Sequence, residues 1–217
     1  MSLLVVLFDL DGTLIDSSPG IRRCVDESLA FHELAPITDA QFAEFIGPPL
    51  TDSFGGLASD PSMVPSLIAV YREHYGAGGM YEYSVYDGVP ELLDRLVARG
   101  YRLGVATSKV GRYARPVVDH AGLSDRFGVV SGAESDGPGA AKPVVMTAAI
   151  EALGVEDPAT VVMIGDRAHD GQGASALGTH FIGVSWGFAR PGELHGAGAS
   201  VVVSHPEQLD EAIASLV

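Results

Sequence analysis

The stretch Leu3-Leu4-Val5-Val6-Leu7-Phe8-Asp9-Leu10-Asp11-Gly12-Thr13 decides the fold, because an apolar run in it leads directly into two carboxylates. Leu3 to Phe8 is typical of a strand in a parallel sheet that is covered on both faces. Asp9 and Asp11 follow at the carboxyl end of this strand, the edge where open α/β sheets bind ligands. On these residues alone, a solvated Asp-Gly turn and a reacting site are equally good interpretations. An EF-hand calcium loop is disfavoured, because its third oxygen ligand and closing Glu are missing.

Length and composition indicate a globular protein. A chain of 217 residues fits one large domain, or one α/β domain with a modest insertion. Hydrophobic residues make up 47% and charged residues 19%, which excludes a disordered chain. No apolar run approaches the ~20 residues that span a bilayer, and no basic segment precedes the first apolar run, so neither a membrane span nor a signal peptide is predicted. The single cysteine, Cys24, excludes an internal disulfide and favours a cytoplasmic location.

The net charge limits the partners. A formal charge of -15 argues against a nucleic acid polymer, because binding to its backbone requires a basic face. Any phosphate must therefore be bound locally, through a metal, a helix N-terminus or a placed cation. Lys109 and Lys142 are the only lysines, beside eleven arginines, so each of the two requires its own explanation.

The order of predicted elements gives the domain organisation. Residues 17–84 are predicted to be helical without a strand: Ser17 or Ser18 can cap a first helix, Thr38 to Gln41 has the spacing of a capping box, and Gly47-Pro48-Pro49 breaks the chain. From Asp87 onward helices and strands alternate, which predicts a parallel sheet with right-handed crossovers. Strands are predicted at 101–107, 128–131, 161–164, 181–184 and 200–203, and helices at 90–99, 112–120, 142–153, 170–177 and from 206.

Polar side chains follow three of the predicted strands at the point where each strand ends. They are Asp9 and Asp11, Thr107 and Ser108, and Asp166 and Asp170. Parallel strands place these residues on one edge of the sheet, where the carboxylates would repel one another without a cation. Hard oxygen ligands of this kind suit Mg²⁺. We expect Asp9, Asp166 and a backbone carbonyl of the first loop to share the ion.

The remaining polar groups match the needs of a phosphoryl group. Thr107 can donate its hydroxyl, the amides of Leu10 and Asp11 are further donors, and Lys142 can supply a point charge at a helix start. The chain shows no Ser-His-Asp or Cys-His pattern, so a carboxylate is the expected nucleophile, and it would form an aspartyl-phosphate. Asp9 would attack phosphorus, and Asp11 would protonate the leaving oxygen and then deprotonate water.

Four motifs together resemble those of the haloacid dehalogenase (HAD) superfamily of phosphatases. Asp9-x-Asp11-Gly12-Thr13 matches the first motif and Thr107 the second. Lys142, followed by Pro143, matches the third, and Gly165-Asp166-Arg167-Ala168-His169-Asp170 the fourth. The resemblance covers essentially the whole chain. It implies an α/β fold: a Rossmann-like, three-layer parallel-sheet core domain formed by residues 1–15 and 86–217, with an inserted all-helical cap domain at residues 16–85.

The resemblance also implies a role for each matching residue. Asp9 would be the nucleophile and Asp11 the general acid/base, while Asp9, the Asp11 carbonyl and Asp166 would bind Mg²⁺. Asp170 would orient Lys142 or a metal-bound water. The cap resembles that of the phosphoglycolate phosphatase-like subgroup. The stretches 46–50, 106–109 and 182–187 resemble members known as phosphoglycolate phosphatases or 5'-nucleotidases.

Several nearby residues are assigned on weaker grounds. Ser108 is equally well interpreted as a substrate contact or as a turn hydroxyl. Lys109 is predicted to be a solvated loop charge or a helix-cap contact, with direct phosphate binding as the less favoured alternative. Arg167 and His169 are predicted to lie on the surface, and Trp186 is predicted to serve packing.

The predicted function is a Mg²⁺-dependent phosphomonoesterase, with the cap closing to exclude bulk water. The substrate would be phosphoglycolate-like or a nucleoside monophosphate, facing cap arginines or cap phenylalanines: Arg22, Arg23, Arg72, Phe42, Phe45 and Phe54. A sugar-phosphate mutase and a non-catalytic binding protein of this fold stay open as alternatives. A dehalogenase has no use for Asp11, and a phosphonatase needs a cap lysine that the chain lacks. The expected partner is a small phosphate ester, with no nucleic acid polymer and no membrane, and the chain is expected to be a monomer or a homodimer.

Overall fold

The computed structural model describes residues 5–135 and 140–216. The predicted start of the first strand, Leu3-Leu4, and residues 136–139, part of the Gly-rich stretch before Lys142, lie outside these ranges. The strands are β1 (Val5–Phe8), β2 (Ile15–Asp16), β3 (Ser84–Val85), β4 (Arg102–Val110), β5 (Val129–Ala133), β6 (Val161–Gly165), β7 (His180–Val184) and β8 (Val201–Val203). The helices are α1 (Ser18–Phe31), α2 (Asp39–Phe45), α3 (Leu50–Gly55), α4 (Val64–Gly76), α5 (Val89–Ala98), α6 (Gly111–His120), α7 (Lys142–Ala152), α8 (Ala168–Leu177), α9 (Glu193–Gly196) and α10 (Leu209–Ala214).

The main sheet has six parallel strands in the order β5-β4-β1-β6-β7-β8, and β2 and β3 form a separate two-stranded sheet. β1 lies between β4 and β6, with Val5 opposite both Arg102 and Val161. All four β1 side chains are buried, as expected for a parallel strand with both faces covered. The predicted α/β fold is confirmed, and the carboxyl ends of β1, β4 and β6 meet at one edge.

The described chain divides into two compact units, Met1–Asp16 with Val85–Val217, and Ser17–Ser84. In the first unit, helices α7 and α8 and the sheet share a buried apolar cluster that includes Leu7, Met146, Met163 and Phe181. None of the helices in the described ranges has both the length and the apolar character needed to cross a membrane.

The second unit is built from α1 to α4. The capping box at α2 is present: Gln41 N donates to Thr38 Oγ1 at 3.3 Å, and Thr38 N donates to Gln41 Oε1 at 3.0 Å. At α1, Ser17 occupies the predicted N-cap position, although its side chain makes no capping hydrogen bond.

Phe42, Phe45 and Phe54 are buried. The rings of Phe45 and Phe54 pack edge to face with centroids 5.0 Å apart. The expectation that they form an open apolar surface for a nucleoside is therefore wrong, because these rings fill an interior.

Three elements depart from the sequence prediction near the carboxyl edge of the sheet. β4 continues to Val110, past its predicted end at Thr107, through a change of register against β5. α8 begins at Ala168 instead of Asp170, because the Asp170 carboxylate accepts the Arg167 amide at 3.0 Å and closes the first turn. The short helix α9 was not predicted.

Candidate active site

Three carboxylates converge at the carboxyl edge of the sheet. Asp9 follows β1, Asp166 follows β6, and Asp170 lies in the first turn of α8. One carboxylate oxygen from each lies within 4.8 Å of the others. The neighbouring parallel strands explain the closeness of the first two, since the Asp9 amide donates to the carbonyl of Ile164 in β6 at 2.9 Å. Asp166 and Asp170 are buried, and the Asp9 side chain is 13% exposed.

Lys142, the first residue of α7, neutralises part of this charge. Its Nζ lies 2.8 Å from Asp9 Oδ1 and 2.8 Å from Asp170 Oδ1, and it donates to the carbonyl of Ala106 at 3.0 Å. The side chain is 3% exposed. The only cation predicted to touch the phosphate is thus fixed between two carboxylates.

Burial perturbs the protonation of this cluster. It raises the pKa of Asp9 to about 6, against the opposing charge of Lys142. It also raises the pKa of Asp166 well above its usual range, and the charges of Asp170 and Asp9 act in the same direction. Burial alone would lower the pKa of Lys142, but Asp170 and Asp9 outweigh it and raise that pKa. Three carboxylates around one ammonium leave an excess of negative charge.

The loop after β7 and the loop after β1 fix the orientation of Asp166. Its Oδ2 accepts the Phe188 amide at 2.7 Å, and its Oδ1 accepts the Thr13 hydroxyl at 3.4 Å. A Cβ at Gly187 would lie 2.4 Å from Asp166 Oδ2, and one at Gly12, whose φ is +83°, would lie 2.2 Å from it. Both loops can therefore close on the carboxylate only because these two positions carry no side chain.

Trp186 joins the same two loops. Its Nε1 donates to the carbonyl of Thr13 at 3.1 Å, and its ring packs against Tyr86 with centroids 6.4 Å apart. The interpretation of Trp186 as a packing residue fits these contacts.

Glu193, in α9, is a supporting residue that the sequence did not reveal. Its Oε1 accepts from Arg167 Nε at 2.9 Å and from the Ala168 amide at 2.8 Å, and its Oε2 accepts the Arg190 amide at 2.9 Å. Burial alone would raise the pKa of Glu193, but these hydrogen bonds lower it. Arg167 is 7% exposed, so its predicted surface position is wrong. Glu193 begins a short helix directly after Pro191-Gly192. The sequence around it gives no indication of its contact with Arg167, which is distant along the chain.

His169, the other residue predicted to lie on the surface, is partly buried. Burial lowers its pKa, and the charges of Arg167 and Lys142 lower it further. Its ring is therefore held toward the neutral form.

The end of β4 brings a second lysine to the first motif. Thr107 is buried, and its Oγ1 accepts the Lys109 amide at 3.2 Å, while Ser108 is partly exposed. Lys109 Nζ lies 2.6 Å from Asp11 Oδ1, and the lysine side chain is only 8% exposed. The prediction of a solvated loop charge is wrong, because the lysine is buried against Asp11. Leu10 is buried, and its carbonyl accepts the Leu14 amide at 3.0 Å.

Two of the three cap arginines named as substrate candidates, Arg22 and Arg23, have partners in their own unit. Arg22 contacts Asp39 Oδ1 at 2.6 Å, and Arg23 contacts Glu27 Oε1 at 2.6 Å and Glu82 Oε1 at 2.7 Å. These contacts give both arginines a structural function within the cap.

The residues present fit a divalent cation. Asp9, Asp166 and Asp170 offer only hard carboxylate oxygens, and in the described part of the chain this is the group of side chains with metal-ligand spacing. Burial and the neighbouring carboxylates raise the pKa values of Asp9 and Asp166, and a divalent cation between them would oppose both effects.

Comparison with known proteins shows the family of the chain, while the relatives carry the names of more than one activity. The model of a family described as haloacid dehalogenase-like hydrolase matches residues 6–184. A 5'-nucleotidase of Pseudomonas aeruginosa is 40% identical over 87% of this chain and 86% of its own. The tyrosine-protein kinase PtkA of Mycobacterium tuberculosis is 36% identical over 95% of this chain and 70% of its own. A phosphoglycolate phosphatase of Rhodospirillum rubrum is 33% identical over 85% of this chain and 80% of its own.

A solved structure of a related protein has a similar fold. The crystal structure of a predicted phosphatase from Clostridium acetobutylicum superimposes with a TM-score of 0.91 at 36% identity. The match covers 99% of this chain and all of the other.

Proposed function

Because the chain belongs to the haloacid dehalogenase-like hydrolase family, we propose that it is a Mg²⁺-dependent phosphatase that hydrolyses a small phosphomonoester through an aspartyl-phosphate on Asp9. The phosphatase class rests on the relatives and on the similar solved structure. One observation carries the mechanism: Lys142 bridges Asp9 and Asp170 at 2.8 Å in a buried cluster that also contains Asp166.

Asp9, Asp166 and the backbone carbonyl of Asp11 would hold the ion, and Asp170 would orient Lys142 or a metal-bound water. When bound, Mg²⁺ supplies the positive charge that lets an anionic phosphate approach an anionic nucleophile. The phosphoryl oxygens would be bound by the Thr107 hydroxyl, Ser108, Lys142 and the amides of Leu10 and Asp11. Lys142 keeps its charge at neutral pH, because the neighbouring carboxylates raise its pKa.

The reaction has two steps. In the first, a carboxylate oxygen of Asp9 forms a bond to phosphorus, the ester P–O bond breaks, and Asp11 gives its proton to the leaving oxygen. In the second, water attacks phosphorus, its proton passes to Asp11, and the bond between phosphorus and Asp9 breaks. Alcohol and inorganic phosphate leave, and both carboxyl groups return to their starting protonation states.

The substrate class proposed is a phosphoglycolate-like ester or a nucleoside monophosphate, as the stretches shared with those relatives suggest. The buried positions of Phe42, Phe45 and Phe54 argue against a nucleoside stacking on these rings. Nothing observed favours a mutase, and its product would be an isomerised phosphate instead of inorganic phosphate.

The test is a screen of metabolite phosphates with Mg²⁺, ranked by kcat/KM, in which inorganic phosphate and any isomerised ester are both measured. Asp9→Asn should abolish turnover and leave the unfolding midpoint close to that of the parent protein. Asp87→Asn, which changes an exposed aspartate of the same unit, is the matched control and should retain full activity. Substantial hydrolysis by Asp9→Asn would contradict the mechanism, and no turnover of any ester by the parent would contradict the function.

A further inference from the structure

Lys109 and Asp11 form an ion pair that the two proposed reaction steps do not use. Their Nζ and Oδ1 atoms are 2.6 Å apart, and the two side chains are 8% and 18% exposed. A pair this sheltered holds a fixed geometry more firmly than a solvated one, because less water competes for either partner.

The backbone of β4 is built to place Lys109 there. Thr107 pairs with Gly132 of β5 and Val110 with Ala133, so Ser108 and Lys109 are two additional residues in β4 against a single step of β5. Such bulges redirect side chains at the edges of sheets and beside active sites. The Thr107 side chain supports the bulge, since its Oγ1 accepts the Lys109 amide at 3.2 Å.

Gly132 provides the space for this bulge. A Cβ at this position would lie 2.7 Å from the carbonyl oxygen of Lys109, and 2.7 Å from the Cα of Gly111. Any residue with a side chain would therefore push the bulged segment away. Thr107, Lys109 and Gly132 thus form one arrangement that directs the ammonium to the first motif.

From this geometry we infer that Lys109 is the positioning residue for the general acid/base. It binds Asp11 Oδ1, which leaves Oδ2 as the oxygen that exchanges the proton, and it stops the carboxyl group from rotating away from the leaving oxygen. Asp11 lies in a Gly-containing loop, where both of its side-chain torsions would otherwise be open. This inference rests on the proposed function, since it assigns Lys109 a role in proton transfer to the leaving group.

The test separates proton transfer from phosphate binding by comparing two leaving groups. An alkyl phosphate needs a proton on its leaving oxygen, whereas p-nitrophenolate leaves with little help. Because kcat/KM reports only the steps up to phosphoenzyme formation, it isolates the first transfer. Lys109→Met should lower kcat/KM for 2-phosphoglycolate or a nucleoside 5'-phosphate by about 10- to 100-fold, and for p-nitrophenyl phosphate by less than about threefold.

Four further variants complete the experiment. Lys109→Arg should recover most of the alkyl ester activity, because it retains the charge. Arg112→Gln, which removes a cation from the exposed start of α6, should behave like the parent. In an Asp11→Asn background, Lys109→Met should no longer change the ratio between the two esters.

Three results would overturn the inference. An equal loss of kcat/KM for both esters would mean that Lys109 binds the phosphoryl group that they share, and no loss for either would mean that the ion pair is dispensable. A change in the ratio of kcat/KM between the two esters when Lys109→Met is added to Asp11→Asn would mean that the lysine does not act through Asp11. Turnover of p-nitrophenyl phosphate by the parent protein tests the proposed function separately, because it does not depend on Lys109.

Discussion

The site and the cap each contain one cation between two carboxylates, at nearly the same distances but in very different surroundings. Lys142 lies 2.8 Å from oxygens of Asp9 and Asp170. Arg23 lies 2.6 Å from an oxygen of Glu27 and 2.7 Å from an oxygen of Glu82. The exposed fraction is 3% for the Lys142 side chain and 39% for the Arg23 side chain.

The difference in burial shows that short distances alone do not make two ion pairs equivalent. Water screens the Arg23 cluster, so separating its charges costs little free energy. The Lys142 cluster is desolvated, so any unbalanced charge in it destabilises the fold. Because removing charges from water costs free energy, a buried cluster of this kind does not by itself show that the fold is stabilised. Under the proposed function, the burial of these charges serves the chemistry, since Asp9 and Asp166 would receive a cation and Asp9 a phosphate.

Removing the buried cation should have the largest effect. Lys142→Met leaves Asp9 and Asp170 facing each other without a cation, and we expect the free energy of unfolding to fall by about 3–5 kcal/mol. Turnover should fall at least about 1,000-fold, because a phosphate charge contact is also lost. Urea unfolding and a phosphatase assay measure the two effects. A variant that keeps the stability of the parent would show that the carboxylates do not depend on Lys142.

Adding Mg²⁺ should stabilise the protein, and more at pH 8 than at pH 5. The folded-state pKa of Asp9, about 6, lies above its ordinary value of 3.8, so the metal-free fold favours the protonated form. The stability that protonated Asp9 contributes to the metal-free fold is fully present below pH 3.8 and is lost as the pH rises through about 6. Mg²⁺ at 100 times its Kd should add about 2.7 kcal/mol at pH 8, and less at pH 5, where protons compete for the same oxygens.

Thermal unfolding with and without MgCl2 at the two pH values measures this effect. Asp166→Asn, which removes one proposed ligand, should lose most of the response to Mg²⁺. Equal stabilisation at pH 5 and pH 8, or an unchanged response in the variant, would contradict the proposed metal site.

Loss of Glu193 should have a moderate effect. Glu193→Ala leaves the guanidinium of the buried Arg167 and the amide of Ala168 without this acceptor, at a cost of about 1–3 kcal/mol in the free energy of unfolding. Because Arg167 also donates its amide to Asp170, the apparent Mg²⁺ affinity should weaken about tenfold. Glu151→Ala on the exposed face of α7 is the control. An unchanged Mg²⁺ titration would show that α9 does not support the site.

The smallest effect is expected in the cap. Arg23→Gln removes a cation with the same number of carboxylate partners as Lys142, yet the free energy of unfolding should change by less than about 1 kcal/mol. The change should shrink further in 1 M salt, which screens solvated charges. A loss as large as that of Lys142→Met would remove the distinction between the two clusters.

The sequence predicted the parts of the site that follow from strand ends. Asp9 and Asp166 each follow an apolar run, and neighbouring parallel strands must bring such residues to one edge. The start of α7 at Lys142 was equally readable from its place before a helical pattern. Lys109 was misjudged because a bulge has no periodic signature, and the contact of Glu193 with Arg167 joins segments whose packing the local pattern does not encode.

The proposed role of Asp9 as the nucleophile can be tested by trapping the phosphoenzyme. The protein would be mixed with Mg²⁺ and p-nitrophenyl phosphate, quenched in acid during turnover, and treated with borohydride, which reduces an aspartyl-phosphate to homoserine. Peptide mass spectrometry then locates the modified residue. We predict homoserine at position 9, and none in Asp9→Asn. Modification at Asp166 or Asp170 instead, or none at position 9 under conditions that accumulate the phosphoenzyme, would contradict the claim.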